Sequence, residues 1–501
     1  MRYTLLLLSL LLHVSLSHPI RSAFPSRTQK SHAVPLHTPG MVVNCTEYFF
    51  EQQIDHFAPS PGTYQQRYFV NSEYYTPGGP MFFYLGNEAD VTLYVNATGL
   101  IWENAEEFGA LIVFAEHRYY GVSQLFPEDP LSNLQYLSTE QALMDYVTLI
   151  STLKSTYSFS STDSVIGFGG SYGGMLASWA RMKYPHVWDG AIAGSAPIVS
   201  FEDMTPGVDP NFYAEGVTYD VTTAAGASEF CEANLRKAFA DTALTTLDPS
   251  TLRSALQLCD DDDTSDDDIG WSATFWLNEA LSYMAMGNFP YPSTYILNGD
   301  GVLPAFPVRV ACEYLSEDLT RDDKIDEWLI GLSNFAGVYY NYTSTLTCNK
   351  LSSPVNRESE IVNTLWNYQY CSQIFQLFGQ GDDESDMFWD APWDGDASAQ
   401  SCVESNGIYP DRSHFALSYG NKADWAREAS NIVWSQGEYD PWRGGGVQED
   451  LNDSLIAVVI GEAAHHLDLF FSHEGDTDEV IAARKLEMDN VRKWIREKRG
   501  N

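Results

Sequence analysis

Residues 167–175 read GFGGSYGGM (Gly167-Phe168-Gly169-Gly170-Ser171-Tyr172-Gly173-Gly174-Met175), one serine inside a run of glycine. Glycine admits positive φ and close backbone approach, so a plain turn would explain the run. Its flanks argue for more. Asp163 to Gly169 (DSVIGFG) is a short apolar run with β-branched residues, the composition of a buried strand. Met175 to Tyr184 (MLASWARMKY) is made of helix formers without a breaker. Strand, tight glycine turn and helix together are the setting of a nucleophile elbow, in which Ser171 Oγ projects beyond the sheet edge.

Working outward, short apolar runs alternate with helical patterns in two separated blocks. Met81–Leu85, Leu111–Ala115, Ser164–Gly167 and Gly190–Ala193 read as buried parallel strands, with helical stretches such as Ser138 to Lys154 between them. In the second block Asn431–Trp434 and Leu455–Ile460 are again strands. The last segment, Asp476 to Lys498, opens acidic and closes basic, and places Ile481, Met488, Val491 and Ile495 on one helical face. From Phe201 to Phe415 the strand rhythm gives way to helical or irregular sequence rich in aromatics and cysteines. The expected class is α/β. Residues 18–200 form the first part of the core, 201–415 an inserted helical cap, and 416–501 the second part. A cap placed there sits above the strand C-terminal ends, where open α/β sheets bind ligands.

The first 17 residues carry Arg2, a leucine-rich core too short to span a bilayer, and small residues at Ser15 and Ser17, which together describe a secretory signal peptide. No later stretch approaches a spanning length, so a soluble mature protein without a membrane partner is expected. Sequons at Asn44, Asn96, Asn341 and Asn452 fit export as glycosylation sites. Seven cysteines in an oxidising compartment imply disulfides and leave at least one thiol over; none shows the paired spacing of a zinc site. The formal charge of −40 repels phosphate backbones and disfavours nucleic acid as a partner. Acidic runs at Asp260–Asp263 and Asp266–Asp268 read as solvated loops, and such a balance of charge fits an acidic vacuole or lysosome.

A serine hydroxyl needs a base within reach and a carboxylate to orient that base. The expected chain order is serine, then acid, then histidine, which passes over His56 and His117. After the cap, the strand at 431–434 leads into a turn holding Glu438 and Asp440, and the strand at 455–460 leads into His465 and His466. Two carboxylates and two imidazoles thus compete, and spacing does not choose. For the oxyanion, the Tyr172 N–H follows the nucleophile, and the loop Gly86-Asn87-Glu88 after the strand at 81–85 is placed to supply a second donor.

FGGSYGGMLASWARMKYPH, with FFYLGNEAD, EHRYYG (Glu116–Gly121), STEQALMDY (Ser138–Tyr146), DPWRGGGV (Asp440–Val447) and AHHLDL (Ala464–Leu469), closely resembles the secreted and lysosomal serine peptidases of the prolyl carboxypeptidase and dipeptidyl peptidase II family. The resemblance implies an α/β-hydrolase core with an inserted, mainly helical, disulfide-containing cap, and a triad falling on Ser171, Asp440 and His465. It implies cleavage of a peptide substrate after proline or alanine near one chain end, with no cofactor and no metal, and it favours a homodimer. Tyr172, Met175 and Trp442 match pocket residues suited to a pyrrolidine ring. It also suggests the pairings Cys231–Cys312, Cys259–Cys348 and Cys371–Cys402, leaving Cys45. One departure stands out: the family run HHLDLR reads HHLDLF here, with Phe470 in place of arginine, so His466 is expected to titrate differently. An esterase on the same core and a catalytically silent hydrolase-like binding protein are the alternatives. The residues alone do not choose between carboxypeptidase and dipeptidyl peptidase.

Overall fold

The computed structural model describes residues 44–240, 243–295, 302–351, 357–381 and 385–500, with the side chains of 357–360 outside that description. The signal peptide expected at 1–17 lies outside the described residues.

Eight strands form one sheet in the order β1-β2-β4-β3-β5-β6-β7-β8. β1 (Thr46–Gln53) pairs antiparallel with β2 (Thr63–Asn71), and β2 pairs antiparallel with β4 (Leu111–Ala115). The remaining pairings are parallel: β3 (Met81–Leu85) with β4 and with β5 (Val165–Gly170), then β6 (Gly190–Gly194), β7 (Ile432–Gly437) and β8 (Leu455–Ile460). Every residue of β3 to β7 is buried. Helices covering both faces make that possible, which is why these strands read as continuous apolar runs. β1 and β2 mix polar and apolar residues, and β1 is an almost fully exposed edge, so neither carries a buried-strand signal. The result is the mostly parallel, doubly wound sheet of an α/β-hydrolase core.

β4 lies on one side of β3 and β5 on the other. The chain therefore leaves the C-terminal ends of β3 and β5 in opposite directions and opens a crevice between them. Gly86-Asn87-Glu88 follows β3 and Ser171 follows β5, so both stand at that crevice.

Between Gly194, the end of β6, and Ile432, the start of β7, the described residues are mainly helical, with long helices at Ile269–Met286, Ile325–Tyr340 and Arg357–Ser372. All three disulfides, Cys231–Cys312, Cys259–Cys348 and Cys371–Cys402, lie in this insertion, and Cys45 is free. Cap residues Leu277, Leu332 and Phe335 share one apolar cluster with Phe82, Phe114 and Ile192 of the sheet. Phe415 stacks on Phe201 at 4.0 Å and on Trp179 of the helix Tyr172–Lys183 at 4.6 Å, which ties two distant parts of the insertion to the core.

The final helix, Asp478–Arg499, is capped by Thr477 Oγ1, which accepts from the Val480 N–H. Its buried stripe runs Val480, Ala483, Glu487, Met488, Val491, Trp494 and Ile495. Ile481, expected on that face, is 55% exposed, because the stripe is centred one position earlier. Glu487 on the stripe is fully buried; burial, followed by the neighbouring Asp468 carboxyl, pushes its pKa well above the carboxylate range. Asp468 itself accepts a hydrogen bond from Ser435 Oγ at 2.7 Å.

A carboxyl whose folded pKa exceeds its unfolded value, 4.5 for Glu487, holds a proton that the unfolded chain releases. Its stabilising contribution is complete below the unfolded pKa and is lost as pH rises toward the folded one. The melting temperature should therefore fall as pH rises from about 5. Glu487→Gln, neutral throughout, should lose less of its midpoint over that range than the parent chain does.

Candidate active site

β5 ends at Gly170 and the helix Tyr172–Lys183 begins two residues later, so Ser171 alone makes the turn. It does so at φ 56° and ψ −128°, a conformation that residues with a side chain seldom adopt. The turn closes because nothing projects from Gly169: a Cβ there would stand 2.1 Å from Gly173 O. The Ser171 N–H donates to Gly194 O at 2.9 Å, which locks the elbow to the end of β6. Tyr172 N–H, at the first helical position, has no carbonyl to bond within its helix and is free to face a developing anion.

Asp440 follows β7 and is 1% exposed; its Oδ1 accepts the Trp442 N–H at 3.1 Å. His465 follows β8 and is 2% exposed. Its Nδ1 lies 3.0 Å from Asp440 Oδ2 and 3.1 Å from Oδ1. A carboxylate only accepts, so Nδ1 carries the hydrogen and Nε2 keeps its lone pair. Glu438, the rival carboxylate, is engaged elsewhere: Oε1 accepts from Tyr219 OH at 2.7 Å and Oε2 from the Glu462 N–H at 3.1 Å.

His466 turns away from its neighbour through a left-handed backbone, φ 40° and ψ 42°. Its N–H donates to Ser195 Oγ at 2.7 Å, and its ring lies over Gly170. Tyr295 OH, 3.4 Å from Nε2, and the edge-on ring of Phe470 complete its surroundings. Burial first, and the charge of His465 second, push the His466 pKa well below the imidazole range. The aromatic ring at position 470 thus faces a neutral second histidine. No hydrogen bond joins Ser171 Oγ to His465 among the described residues; the two loops meet through His466 against Gly170. Contacts of this kind commonly tighten only with substrate in place.

The loop after β3 is pinned on both sides. Gly86 N–H donates to Ala115 O at 3.0 Å and Gly86 O accepts from Tyr146 OH at 2.7 Å. Asn87 is fully buried, with Nδ2 3.4 Å from Gly170 O, which brings it beside the elbow. The Tyr172 phenol sits in a hydrogen-bonded chain. His117 Nδ1 bonds Arg118 O at 2.8 Å, so Nε2 accepts from Tyr172 OH at 3.1 Å, and Gln369 Nε2 donates to the same oxygen at 3.1 Å. Burial pushes His117 down to about 4, keeping it neutral.

Trp442 points toward the cap. Its Nε1 is 3.3 Å from Met286 Sδ, and its ring meets Tyr213 at 5.0 Å and Phe378 at 5.6 Å, both edge-on. Met175, expected beside it, falls in a different apolar cluster with Leu143, Tyr146 and Trp179. Tyr213, Met286, Trp366 (edge-on to Tyr172), Gln369 and Phe378 are site neighbours that sequence reasoning missed; the aromatic richness of the cap did not say which residues reach the site, and Met286 and Gln369 carry no aromatic signal. Of the sequon asparagines, Asn44 and Asn96 are exposed. The amide of Asn341 donates to Leu346 O and that of Asn452 to Ala426 O. Among the described residues no group of three or more histidine, cysteine or acidic side chains is placed to hold a metal ion, and no helix is long and apolar enough to cross a membrane.

A Cβ at Gly170 would lie 2.8 Å from His466 Cγ and Cδ2, a rigid ring with nowhere to go. Gly170→Ala should displace the histidine loop and slow fluorophosphonate labelling of Ser171 by about 10²-fold, the scale of a misplacement near 1 Å. An unchanged labelling rate would show that this contact does not set the position of the base.

Residues 52–487 match the family described as Serine carboxypeptidase S28. The lysosomal Pro-X carboxypeptidases of Pongo abelii and Homo sapiens are 37% and 36% identical to the chain over 474 residues, covering 92% of it and 91% of each relative. Prolyl carboxy peptidase like protein 5 of Caenorhabditis elegans is 34% identical over 482 residues, covering 91% of both chains. With a family match over most of its length and relatives at this identity, the chain is a serine-type peptidase and belongs to the serine carboxypeptidase S28 family.

Proposed function

We propose that this peptidase removes residues from the carboxyl end of peptides by cutting after proline, or after alanine, with Ser171 as nucleophile, His465 as base and Asp440 as the group that orients it. The carrying observation is the Asp440–His465 contact. By taking the Nδ1 hydrogen it leaves Nε2 as the nitrogen that accepts a proton, at the sheet edge where Ser171 is exposed by its strained turn.

In the first half-reaction His465 Nε2 takes the Ser171 proton as Oγ bonds to the scissile carbonyl carbon. The N–H groups of Tyr172 and Asn87 stabilise the oxyanion. The C–N bond then breaks, His465 returns its proton to the departing amine, and an ester on Ser171 remains. Water, deprotonated by the same nitrogen, attacks that ester and releases the acid with Ser171 restored. Asp440 stays ionised and balances the imidazolium in both halves.

Trp442, Tyr213, Phe378 and Met286 offer aromatic faces and sulfur to an apolar ring that lacks an amide donor, the chemistry of proline. The carboxyl-end direction is supported by the Pro-X carboxypeptidase relatives. Buried carboxyls that keep their protons, Glu487 and Asp220, suit an acidic compartment of the secretory pathway such as a lysosome.

Mass spectrometry of products from a peptide with proline next to the last residue tests this reading. The free-acid peptide should lose its final residue, and blocking the amino end should not matter. Ser171→Ala should abolish turnover, and Asp440→Asn should lower kcat by about 10⁴-fold through the wrong imidazole tautomer. Robust aryl-ester turnover without any peptide cleavage would overturn the proposal in favour of an esterase.

A further inference from the structure

Glu88 takes no part in the steps above, yet it stands at the crevice next to Asn87. It is 7% exposed, and its Oε2 is buried without a hydrogen-bond partner. A charged carboxylate is badly placed there, because burial disfavours the ion and the donors at its other oxygen offset only part of that cost. The titratable groups facing it come from every surrounding element. They are Tyr84 on β3, Tyr94 on the helix Thr92–Ala97, Tyr120 after β4, Tyr172 on the nucleophile helix, Tyr295 in the cap and His465 on the loop after β8. Burial raises all five phenols, so they stay neutral, and His465 is the one base that reaches Glu88 among the described residues. Burial pushes the Glu88 carboxyl itself up to about 7, against smaller opposing effects of its own backbone N–H, Asn87 and His465.

An enzyme that trims carboxyl ends has to recognise a terminal carboxylate, and an arginine or lysine is the usual partner. Among the described residues no such cation faces this acid. The position of Glu88 is informative, since His465 hands its proton to the departing amine and the leaving residue therefore lies on the His465 side of the scissile bond. Glu88, on the loop after β3 at the same crevice, lies close enough to His465 to feel its charge, which puts it within range of that leaving residue.

We propose that Glu88 recognises the free α-carboxylate of the leaving residue, acting as a carboxylic acid whose O–H donates to it. The inference rests on the carboxypeptidase reading given above. Below neutrality the buried acid supplies a hydrogen bond to the substrate ion. Above it, Glu88 ionises, two carboxylates face one another, and the substrate is repelled. The same side chain then sets both the preference for a free carboxyl end and the alkaline limit of binding.

The test compares kcat and KM, from about pH 5 to about pH 8, for a proline-containing peptide as free acid and as carboxyl-terminal amide. Fluorophosphonate labelling of Ser171 gives a readout that does not involve the peptide terminus. For the parent enzyme, KM for the free acid should climb toward about tenfold per pH unit once Glu88 ionises, while KM for the amide stays level. Glu88→Ala should raise KM for the free acid at least about tenfold at about pH 5, with labelling changed by less than about threefold. Glu88→Gln, which keeps the shape and a donor but cannot ionise, should show a modestly raised KM that no longer varies with pH. A Glu88→Gln profile that follows the parent's, equal losses for acid and amide, or a loss confined to peptides with a free amino end would each overturn the proposal. If the parent enzyme trims no carboxyl end while Ser171 still labels, the carboxypeptidase reading falls first, and that result appears before any Glu88 variant is made.

Discussion

His465 is held in place from outside its own loop. Its backbone N–H donates to Met286 O at 3.2 Å, a carbonyl at the C-terminal end of a cap helix, and the next N–H donates to Ser195 Oγ just beyond β6. With Asp440 at Nδ1, these contacts position the imidazole, and the chemistry proposed for the crevice depends on that position. The Asp440 turn is seated in a similar way. Tyr439 N–H bonds Ala463 O at 2.9 Å, joining the two loops, and the cap helix Phe212–Asp220 packs so closely on Pro441 that only Gly216 fits between them.

Around this base the protein has removed charge. His117 and His466 are neutral through burial, the nearby phenols keep their protons, and Phe470 places an aromatic edge against His466. A site with few competing ions gives each remaining one a larger effect, because the low local dielectric screens little. That is why a single buried carboxyl such as Glu88 could have the effect on substrate binding proposed for it, although the chain as a whole bears a formal charge of −40. The surface charge and the site charge are separate matters: one is solvated and screened, the other is not.

What was legible in the sequence followed from strong local constraints. The buried strands β3 to β7 had to be apolar on both faces, and the elbow had to be glycine on each side of Ser171; both signals survive in one dimension. β1 and β2 did not show because an exposed antiparallel edge tolerates mixed residues, as Glu47, Glu51 and Gln65 illustrate. Ile481 was misplaced because helical periodicity fixes the spacing of a stripe better than its phase. Spacing did not choose between Glu438 and Asp440, or between His465 and His466, since adjacent loop residues differ only in the direction they face; the resemblance pointed to Asp440 and His465, and these two are in hydrogen-bond contact. The cap contributions of Met286, Gln369 and Tyr213 were invisible for another reason: they come from distant helices, and no local pattern records a meeting across that much chain.

The Met286 carbonyl has an implication for how such enzymes diversify. An inserted domain is usually regarded as an interchangeable cover, free to be grafted from one lineage to another to change what is digested. Here the graft would also bring its own anchor for the backbone of the proposed base, so on that proposal a transplanted cover that recognised a new peptide but ended its helix half a turn short would bind well and cut poorly. Substrate range and chemical competence are therefore inherited together in this architecture.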